Sequence, residues 1–223
     1  VIKKFTKDFS RLSAQEYVRK VLVETLHVKH IIIGYDHHFG RNRTANIHDL
    51  KAFGKIYNFK VTEILAQEID EVTISSTKIR QALNTGDVKT ANTFLGYNFM
   101  ISGTVIKGKG IGRTLNFPTA NINISEDYKL IPKHGVYVVK TRILNTTVFG
   151  MMNIGVNPTV NGKLRSIEIH FFDFSQDIYG VYLEIEILKR LREEQKFDSL
   201  AELEKQLLKD AVISKQFLQQ INA

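Results

Sequence analysis

The pattern of apolar residues changes near residue 98, and this change restricts the chain to two differently built halves. Before it, the apolar run at residues 31–33 ends at Gly34 and stands between stretches with helical spacing. Helices that alternate with continuous apolar strands are typical of a parallel α/β layer. After it, β-rich runs follow one another between Gly, Pro and Asn turns, as they do in antiparallel barrels and sandwiches. We therefore predict an α/β domain over residues 1–97 and an antiparallel barrel or sandwich with a C-terminal helix over residues 98–223.

Local signals place the elements within these halves. Ser13 with Glu16 and Ser199 with Glu202 are capping boxes, and each predicts the start of a helix. The second of these helices should run to about residue 218. Residues 47–57 and 77–83 have helical spacing, and residues 61–66 are extended. The predicted strands of the second half lie at residues 136–139, 147–154, 167–172 and 181–188.

Composition excludes several classes of protein. The 43% content of hydrophobic residues argues against disorder, and no apolar run approaches the ~18 residues of a membrane span. The chain has no cysteine, which excludes disulfides and thiol chemistry and fits a reducing cytoplasm. Its formal net charge of +8 suits nucleic acid and polyphosphate substrates equally well. We expect a cytoplasmic protein with no membrane contact and no obligate protein partner.

Residues 103–121 combine glycines and cations within one short stretch. Glycines let backbone N–H groups approach an anion closely, and Lys107, Lys109 and Arg113 add positive charge to the same place. The glycines concerned are Gly103, Gly108, Gly110 and Gly112. The combination predicts a nucleotide phosphate site, here ATP, although the glycines alone are more typical of a hairpin between two strands.

The end of this stretch narrows the kind of site. A Walker loop or a dinucleotide fingerprint would open a helix, and Pro118 blocks a helix here. Thr119 and Asn121 instead offer two neutral oxygens, two residues apart, where Mg²⁺ could be held. We therefore predict a magnesium–nucleotide site with Thr119 and Asn121 as the metal ligands.

The strand at residues 167–172 carries a carboxylate among apolar residues. Strand alternation puts Ile167, Ile169 and Phe171 on one face and Glu168 and His170 on the other. A carboxylate between apolar neighbours is costly to desolvate unless it is paired or used. Alternation alone leaves two interpretations of Glu168 open: an exposed strand residue or a functional group.

Several separated motifs occur together in an order that resembles a known family. They lie at residues 103–121, 135–137, 153–160, 168–174, 177–180 and 191–197. In this order they resemble the riboflavin kinase module, and the upstream half resembles the adenylyltransferase half of bacterial bifunctional riboflavin kinase/FAD synthetases. The resemblance covers nearly the whole chain. It implies that the first half is an incomplete Rossmann-like nucleotidyltransferase domain (the FMN adenylyltransferase). It implies that the second half is a riboflavin kinase, built as an antiparallel Greek-key β-barrel with a C-terminal helix.

The resemblance implies ATP-dependent phosphorylation of riboflavin to FMN. Glu168 falls at the family's catalytic carboxylate, which accepts the proton of the riboflavin hydroxyl. Arg192 sits where the family places a flavin-contacting arginine, at the start of the last helix segment, and the stretch around it is implied to close over the flavin. Without the resemblance, Arg192 would be an ordinary surface partner of Glu193 or Glu194. We expect His170 to be a structural neighbour and not a second base.

Two upstream motifs carry the adenylyltransferase resemblance, which implies that the parent protein also converts FMN to FAD. Residues 34–41 follow a buried strand, where α/β sheets bind ligands. Residues 75–80 open a helix whose hydroxyls and N–H groups suit a phosphate, or serve only as an N-cap. The implied nucleotide-binding residues are Asp36, Phe39, Gly40, Ser76, Thr77 and Arg80. We assign none of the seven histidines, the adjacent His37 and His38 included, to a metal.

Two departures from the family pattern concern the upstream half. The family's first nucleotide loop, a glycine-rich turn with paired histidines, would precede Val1, and Ala45 stands where a glycine is usual. We therefore expect this segment alone to make no FAD. We also expect Val1 to begin a fragment, or the ordered part, of a longer chain.

Two other functions stay open from the sequence. A basic β-barrel could bind single-stranded RNA without catalysis, with Phe99, Tyr128 and Tyr137 as base-stacking aromatics. Such a protein would not need a carboxylate among apolar neighbours. A flavin-storing module without catalysis would have no use for a divalent ion. We favour the kinase, with ATP, riboflavin and FMN as its small-molecule partners, and expect no nucleic-acid partner.

Overall fold

The computed structural model describes residues 1–66, 68–69, 72–108, 110–159 and 162–221. Lys109 and residue 160, which belong to predicted motifs, lie outside the described residues. The chain forms two compact units, Val1–Ile74 and Ser75–Ala223. The predicted boundary between residues 97 and 98 falls inside the second unit, and as a division between two activities it stays a prediction.

The first unit has the predicted α/β character. Its elements are α1 (Lys7–Ser10), α2 (Ala14–Glu16) with a π-helix that continues it (Tyr17–Thr25), β1 (His30–Gly34), a 3₁₀ turn (Arg41–Arg43), α3 (Ile47–Tyr57), β2 (Lys60–Ile64), β3 (Glu68–Ile69) and β4 (Val72–Thr73). Strands β1 and β2 pair in parallel, and β3 and β4 form an antiparallel pair. Apolar side chains from these helices and strands form a core of their own, which includes Val18, Ile33, Phe39, Leu50 and Phe59.

The capping box at Ser13 is present as predicted. Its Oγ accepts a hydrogen bond from the Glu16 backbone N–H, and the Glu16 carboxylate accepts one from the Ser13 backbone N–H. The bond that its carboxylate accepts from the Ser13 backbone N–H lowers the pKa of Glu16 to about 2, with further help from Lys20 and the Ser13 hydroxyl. The helix that follows keeps the predicted position but has π hydrogen bonding over most of its length.

The second unit contains the remaining elements. They are α4 (Ser76–Thr85), α5 (Val88–Leu95), β5 (Met100–Ile106), α6 (Ile111–Thr114), β6 (Ala120–Asn123), β7 (Gly135–Ile143), β8 (Thr146–Thr159), β9 (Gly162–Phe171), β10 (Tyr182–Arg192) and α7 (Leu200–Ile221). The strands close into an antiparallel barrel in the order β10-β5-β6-β9-β8-β7. Because β7, β8 and β9 follow as neighbours and β10 returns beside β7, four of the strands form a Greek key. The predicted barrel with a C-terminal helix is confirmed.

Strand alternation separates the inside of the barrel from an outer face that can hold a site. The interior is filled by alternate residues of the strands, among them Tyr137, Val139, Ile169, Ile185 and Ile187. On the outer face, Leu203 and Leu207 of α7 pack with a second apolar cluster that includes Phe117, Val136 and Met151. Within the described residues, every helix is too short or too polar to span a bilayer.

Helices α4 and α5 pack on the barrel, a feature that the sequence prediction did not include. Val88 of α5 belongs to the barrel core and is 2% exposed. The Leu83 carbonyl of α4 accepts a hydrogen bond from the Lys133 N–H at 3.0 Å. Asn92 Nδ2 of α5 donates to the Ile187 carbonyl of β10 at 2.9 Å. Both helices are therefore part of the barrel unit.

Candidate active site

Glu168 lies on the outer face of β9, as the alternation predicted. Its neighbours Ile167 and Ile169 are buried inside the barrel, and Glu168 itself is half-buried. It stands directly opposite Asn121 of β6 on one side and Asn153 of β8 on the other. Residues that are directly opposite in a ladder share a face, so Glu168 and the two asparagines form one polar row across three strands.

Thr119 adds a hydroxyl to this row. Its Oγ1 donates a long hydrogen bond, 3.4 Å, to Glu168 Oε2. Because Thr119 and Asn121 are two residues apart at the start of β6, they lie on the same side of the chain. A Cβ at Gly108 would come within 2.0 Å of Asn121 Nδ2, so a glycine is needed there for Asn121 to keep its place. The structure therefore brings together the predicted carboxylate and both predicted metal ligands.

The donor set at this place fits a magnesium ion that accompanies a nucleotide. Mg²⁺ keeps most of its ligands from water and phosphate oxygens, so one or two protein oxygens are sufficient. No cluster of three or more His, Cys, Asp or Glu side chains that could hold a metal occurs in the described part of the chain. A cation here would rely on the neutral oxygens of Thr119 and Asn121 and on the phosphates of its ligand.

The first of two clefts beside Glu168 is mainly apolar. This apolar cleft has a volume of about 310 Å³, and its polar residues include Glu168, His170 and Arg192. Its apolar lining includes Leu115, Phe117, Met151, Phe197, Leu203 and Leu207. A concave apolar surface with few polar groups is typical of small-molecule sites.

The second cleft, called here the cationic cleft after Arg113 in its lining and Lys107 beside it, also contains the carboxylate of Asp177. This cationic cleft has a volume of about 380 Å³ and is lined by Arg113, Thr119, Phe174 and Tyr179 among others. The ammonium group of Lys107 lies 5.9 Å from the centroid of the Tyr179 ring. Thr119 lines both clefts. The two clefts therefore meet at Thr119, next to the Glu168 carboxylate.

The glycines of the predicted phosphate loop are required by local geometry. Gly110 precedes α6 with φ +75°, in the left-handed region that favours glycine. A Cβ at Gly112 would lie 2.2 Å from the Phe117 carbonyl oxygen. Gly103 is buried within β5, where a Cβ would lie 2.4 Å from the Asn123 carbonyl oxygen. A phosphate contact by any of these glycines stays a prediction.

Arg192 lines the apolar cleft, but its surroundings differ from the sequence prediction. It is the last residue of β10, which stays paired with β7 to this point, and α7 begins later; the predicted position at the start of a helix segment is wrong. The alternative of a side-chain pair with Glu193 or Glu194 is also wrong. Arg192 Nε and Nη2 donate to the carboxylate of Asp210 over distances of 2.7–3.0 Å.

Asp210 is the site residue that sequence reasoning missed. It lies on the buried face of α7 and is 1% exposed, and Gln206 Nε2 also donates to it at 2.9 Å. The sequence offered one signal for it, which was a carboxylate at a position where helical spacing predicts an apolar residue. Arg192 donates one further bond, from Nη1 to the Glu193 carbonyl. Arg192 has five N–H groups, and three of them make these bonds: the one on Nε, one on Nη2 and one on Nη1. Two N–H groups therefore remain for a ligand.

His170 joins two segments next to the carboxylate. Its Nδ1 lies 2.9 Å from the Pro118 carbonyl oxygen, and its ring makes edge contacts with Phe117 and Phe172. Burial lowers the pKa of His170, although the bond to Pro118 opposes this effect. These are the contacts of the structural neighbour that we expected.

The upstream site residues belong to two units. In the first unit, Asp36 is exposed after β1, and Phe39 packs in the core at 7% exposure. Gly40 has φ +75°, and a Cβ there would come within 2.8 Å of the Ala14 backbone. The ring of Phe39 therefore packs in the core, and its assignment as a nucleotide-binding residue stays a prediction.

The remaining upstream residues begin α4 in the second unit. Ser76 and Thr77 are exposed in its first turn, and Arg80 is exposed one turn later. Ser75 is the N-cap, with its Oγ accepting from the Lys78 N–H at 3.3 Å. The N-cap predicted for this motif is thus Ser75. The capping role does not account for the hydroxyls of Ser76 and Thr77.

An apolar cleft that contains a carboxylate, and a second cleft that meets it at Thr119, suit an enzyme that transfers a phosphoryl group between two small molecules. Comparison with known proteins gives the family. The riboflavin kinase family model matches residues 95–218, and the FAD synthetase family model matches residues 1–78. The chain belongs to the family of bifunctional riboflavin kinases/FMN adenylyltransferases.

Individual relatives agree with this family. The chain is 42% identical over 217 residues to the bifunctional riboflavin kinase/FMN adenylyltransferase of Buchnera aphidicola from Acyrthosiphon pisum, covering 96% of this chain and 69% of the relative. It is 43% identical over 208 residues to the enzyme of the same name from Listeria monocytogenes, covering 93% and 65%. A crystal structure described as a macrolide-efflux protein from Streptococcus pneumoniae is also similar, with a TM-score of 0.84, 34% identity, and coverage of 95% of this chain and 68% of that one.

Proposed function

We propose that the barrel unit transfers the γ-phosphoryl group of ATP to riboflavin and so makes FMN. The observation that carries this proposal is the contact between Thr119 and Glu168 where the two clefts meet. A reaction between two substrates needs both reacting ends at one place, and positioning supplies much of the rate enhancement of phosphoryl transfer. This geometry provides such a place.

The two clefts differ in the chemistry that they can bind. The apolar cleft suits the isoalloxazine ring of riboflavin, and the two unengaged N–H groups of Arg192 can donate to its oxygens. The cationic cleft suits the phosphates of ATP, with Arg113 in its lining and Lys107 at Tyr179. Riboflavin and ATP would then approach the Glu168 carboxylate from opposite sides.

Glu168 would act as the general base. Its carboxylate takes the proton of the riboflavin primary hydroxyl as that oxygen forms a bond to the γ-phosphorus and the bond to the ADP oxygen breaks. Thr119 and Asn121 would hold Mg²⁺, which supplies neutralisation of phosphate charge when it is bound. The polar row on the outer face keeps these residues next to the carboxylate.

The upstream residues suit a second nucleotide site. The first turn of α4 offers the backbone N–H groups and the hydroxyls of Ser76 and Thr77, and Arg80 adds a positive charge. We infer that these residues take part in the adenylylation of FMN in the full-length protein. The use of ATP and the lack of cysteine favour the cytoplasm as the place of both reactions.

The RNA-binding alternative does not agree with the structure or with the comparisons. Tyr137 is fully buried inside the barrel, and Phe99 packs against its core. Of the three aromatics predicted for this role, Tyr128, at 81% exposure, is the one that could stack on a base. A single exposed aromatic from the predicted three does not form a stacking platform.

A direct assay tests the proposal. Purified protein is incubated with riboflavin, ATP and Mg²⁺, and riboflavin, FMN and FAD are separated. FMN should form, and Glu168→Gln should lower its turnover by about a hundredfold to ten-thousandfold because the proton acceptor is lost.

The control compares binding with turnover. Glu184 of β10 is an exposed carboxylate elsewhere on the barrel, and Glu184→Gln should leave FMN formation unchanged. Riboflavin binding should change far less than turnover in Glu168→Gln. Near-normal turnover in that variant would leave the base unassigned, and no FMN from the unaltered protein would refute the function.

A further inference from the structure

The ladder between β6 and β9 is unusually short for two strands that carry an active site. It contains the two pairs Ala120–Ile169 and Asn121–Glu168. Thr119, whose hydroxyl contacts Glu168, lies just beyond the ladder. Something other than strand pairing must therefore hold Thr119 in place.

Pro118 explains why the ladder stops, and His170 compensates for it. Proline has no N–H to donate, so regular pairing cannot continue through it. Its carbonyl oxygen still needs a donor if it is withdrawn from water. His170 Nδ1 lies 2.9 Å from this oxygen, and since a carbonyl oxygen accepts, Nδ1 must carry the proton and donate. A side chain of β9 thus makes the bond to the segment preceding β6 that the backbone does not make.

The ring of His170 is fixed from both sides. Phe117 lies 5.0 Å and Phe172 5.8 Å from its centroid, both in edge geometry. A packed ring with one bonded nitrogen has little freedom to move. Because His170 and Glu168 are two residues apart on the same outer face, the segment is held directly above the carboxylate.

We propose that His170 is a positioning residue that holds the segment of residues 118–121 against β9, so that Thr119 and Asn121 present their oxygens to Mg²⁺ beside Glu168. This inference rests on the proposed kinase function. It gives His170 a defined part in metal binding through the bond to Pro118, and no part in proton transfer.

Two substitutions of His170 test the roles of its two ring nitrogens separately. The side-chain amide of asparagine can donate from near the place of Nδ1, and that of glutamine reaches the place of Nε2. His170→Asn should therefore keep the bond to Pro118, and His170→Gln should lose it. We expect the Mg²⁺ concentration for half-maximal FMN formation to stay within about twofold for His170→Asn and to rise about two- to tenfold for His170→Gln, since one hydrogen bond is lost.

NMR spectroscopy tests the bond from His170 to Pro118 directly, because it needs neither metal nor turnover. In nitrogen-15 NMR spectra of the metal-free protein, His170 should have its proton on Nδ1 and an unprotonated Nε2. The Thr119 amide resonance should shift in His170→Gln and stay in place in His170→Asn. These readouts do not require that the protein be a kinase.

The outcomes are distinct. A proton on Nε2 of His170 would overturn the proposal, whatever the activity. So would a wild-type metal requirement in folded His170→Gln, or equal impairment of both variants at unchanged melting temperature. If His170→Gln kept activity and His170→Asn lost it, the Nε2 end would act on a substrate and the positioning role would be refuted. Failure of the unaltered protein to make FMN would refute the proposed function and leave the NMR result to decide on the bond.

Discussion

Removal of the Asp210 carboxylate should destabilise the barrel unit by about 3 kcal/mol. Asp210 is 1% exposed and receives bonds from Arg192 and Gln206. Loss of one partner of a buried ion pair costs about 3–5 kcal/mol, because the other charge is left without compensation. The Arg192 side chain is 17% exposed, so water can solvate part of the charge that would be left unpaired. The loss should therefore lie at the lower end of this range. In a unit of this size, such a loss lowers the melting temperature by roughly 6–12 °C.

Differential scanning calorimetry of a small set of variants measures this loss. Asp210→Asn should show the full decrease. The double variant Arg192→Met with Asp210→Leu should recover most of it, because apolar residues of similar volume often replace a buried pair at little cost. Glu193→Gln is the matched control, since Glu193 pairs with Lys133 on the surface and its loss should barely change the melting temperature.

The same variants separate stability from flavin binding. Asp210→Asn frees the Arg192 guanidinium from its fixed orientation, so the KM for riboflavin should rise even at temperatures where the protein is folded. The double variant should be stable but bind riboflavin weakly. A loss below about 1 kcal/mol in Asp210→Asn would show that the pair behaves like a surface ion pair. A double variant no more stable than the single one would equally refute the reasoning.

Titrations distinguish the remaining site residues. Asn121→Ala and Thr119→Val should raise the Mg²⁺ concentration needed for half-maximal FMN formation, because each removes one of the two oxygens that we propose as metal ligands. If both only lowered the melting temperature, the segment would be a tight turn and nothing more. Arg113→Ala should instead raise the KM for ATP with the metal requirement unchanged, since its contact is with phosphate charge; an altered requirement would contradict this separation. Burial holds the pKa of His170 below its ordinary value of 6.5. As the pH falls below 6.5, the unfolded chain therefore binds a proton before the folded protein does, and the folded protein loses stability in this range. The melting temperature of His170→Asn should therefore fall less than that of the wild type between about pH 7 and about pH 5. An equal fall in thermal melts would contradict the assignment of this pH dependence to His170.

Local patterns were sufficient to predict most elements of this fold. Strand alternation placed Glu168 outside and Ile169 inside the barrel, and helical spacing gave the bounds of α3, because both periodicities follow from backbone geometry alone. Helix α5 was missed although Asp87 caps its first turn and a left-handed Gly96 ends it. Its eight residues are too few for a clear period, and it is stabilised by packing on the barrel.

The site was harder to predict than the fold because its partners are distant in sequence. The bond from Thr119 to Glu168 joins residues 49 apart, and that from His170 to Pro118 joins residues 52 apart. No periodicity carries such information. The resemblance to a family predicted Glu168 and Arg192 as site residues, but it did not reveal that Arg192 is held by Asp210. A buried charge on a helix is the one local hint of such a pair, and its partner is fixed only by the packing of α7 on the barrel.

Helix α4 makes the protein difficult to divide by genetic excision. Its first turn carries Ser76 and Thr77, which we propose for the nucleotide site of the adenylyltransferase, while its last turn is bonded to the barrel unit through Leu83. A segment cut at residue 95, where the riboflavin kinase match begins, would lose Val88 from its core and expose the surface that α4 and α5 cover. A segment that begins at Ser75 would keep this core but would take Ser76 and Thr77 with it. On this proposal a truncation at either point harms one of the two halves, which gives a fused gene a physical reason to stay fused.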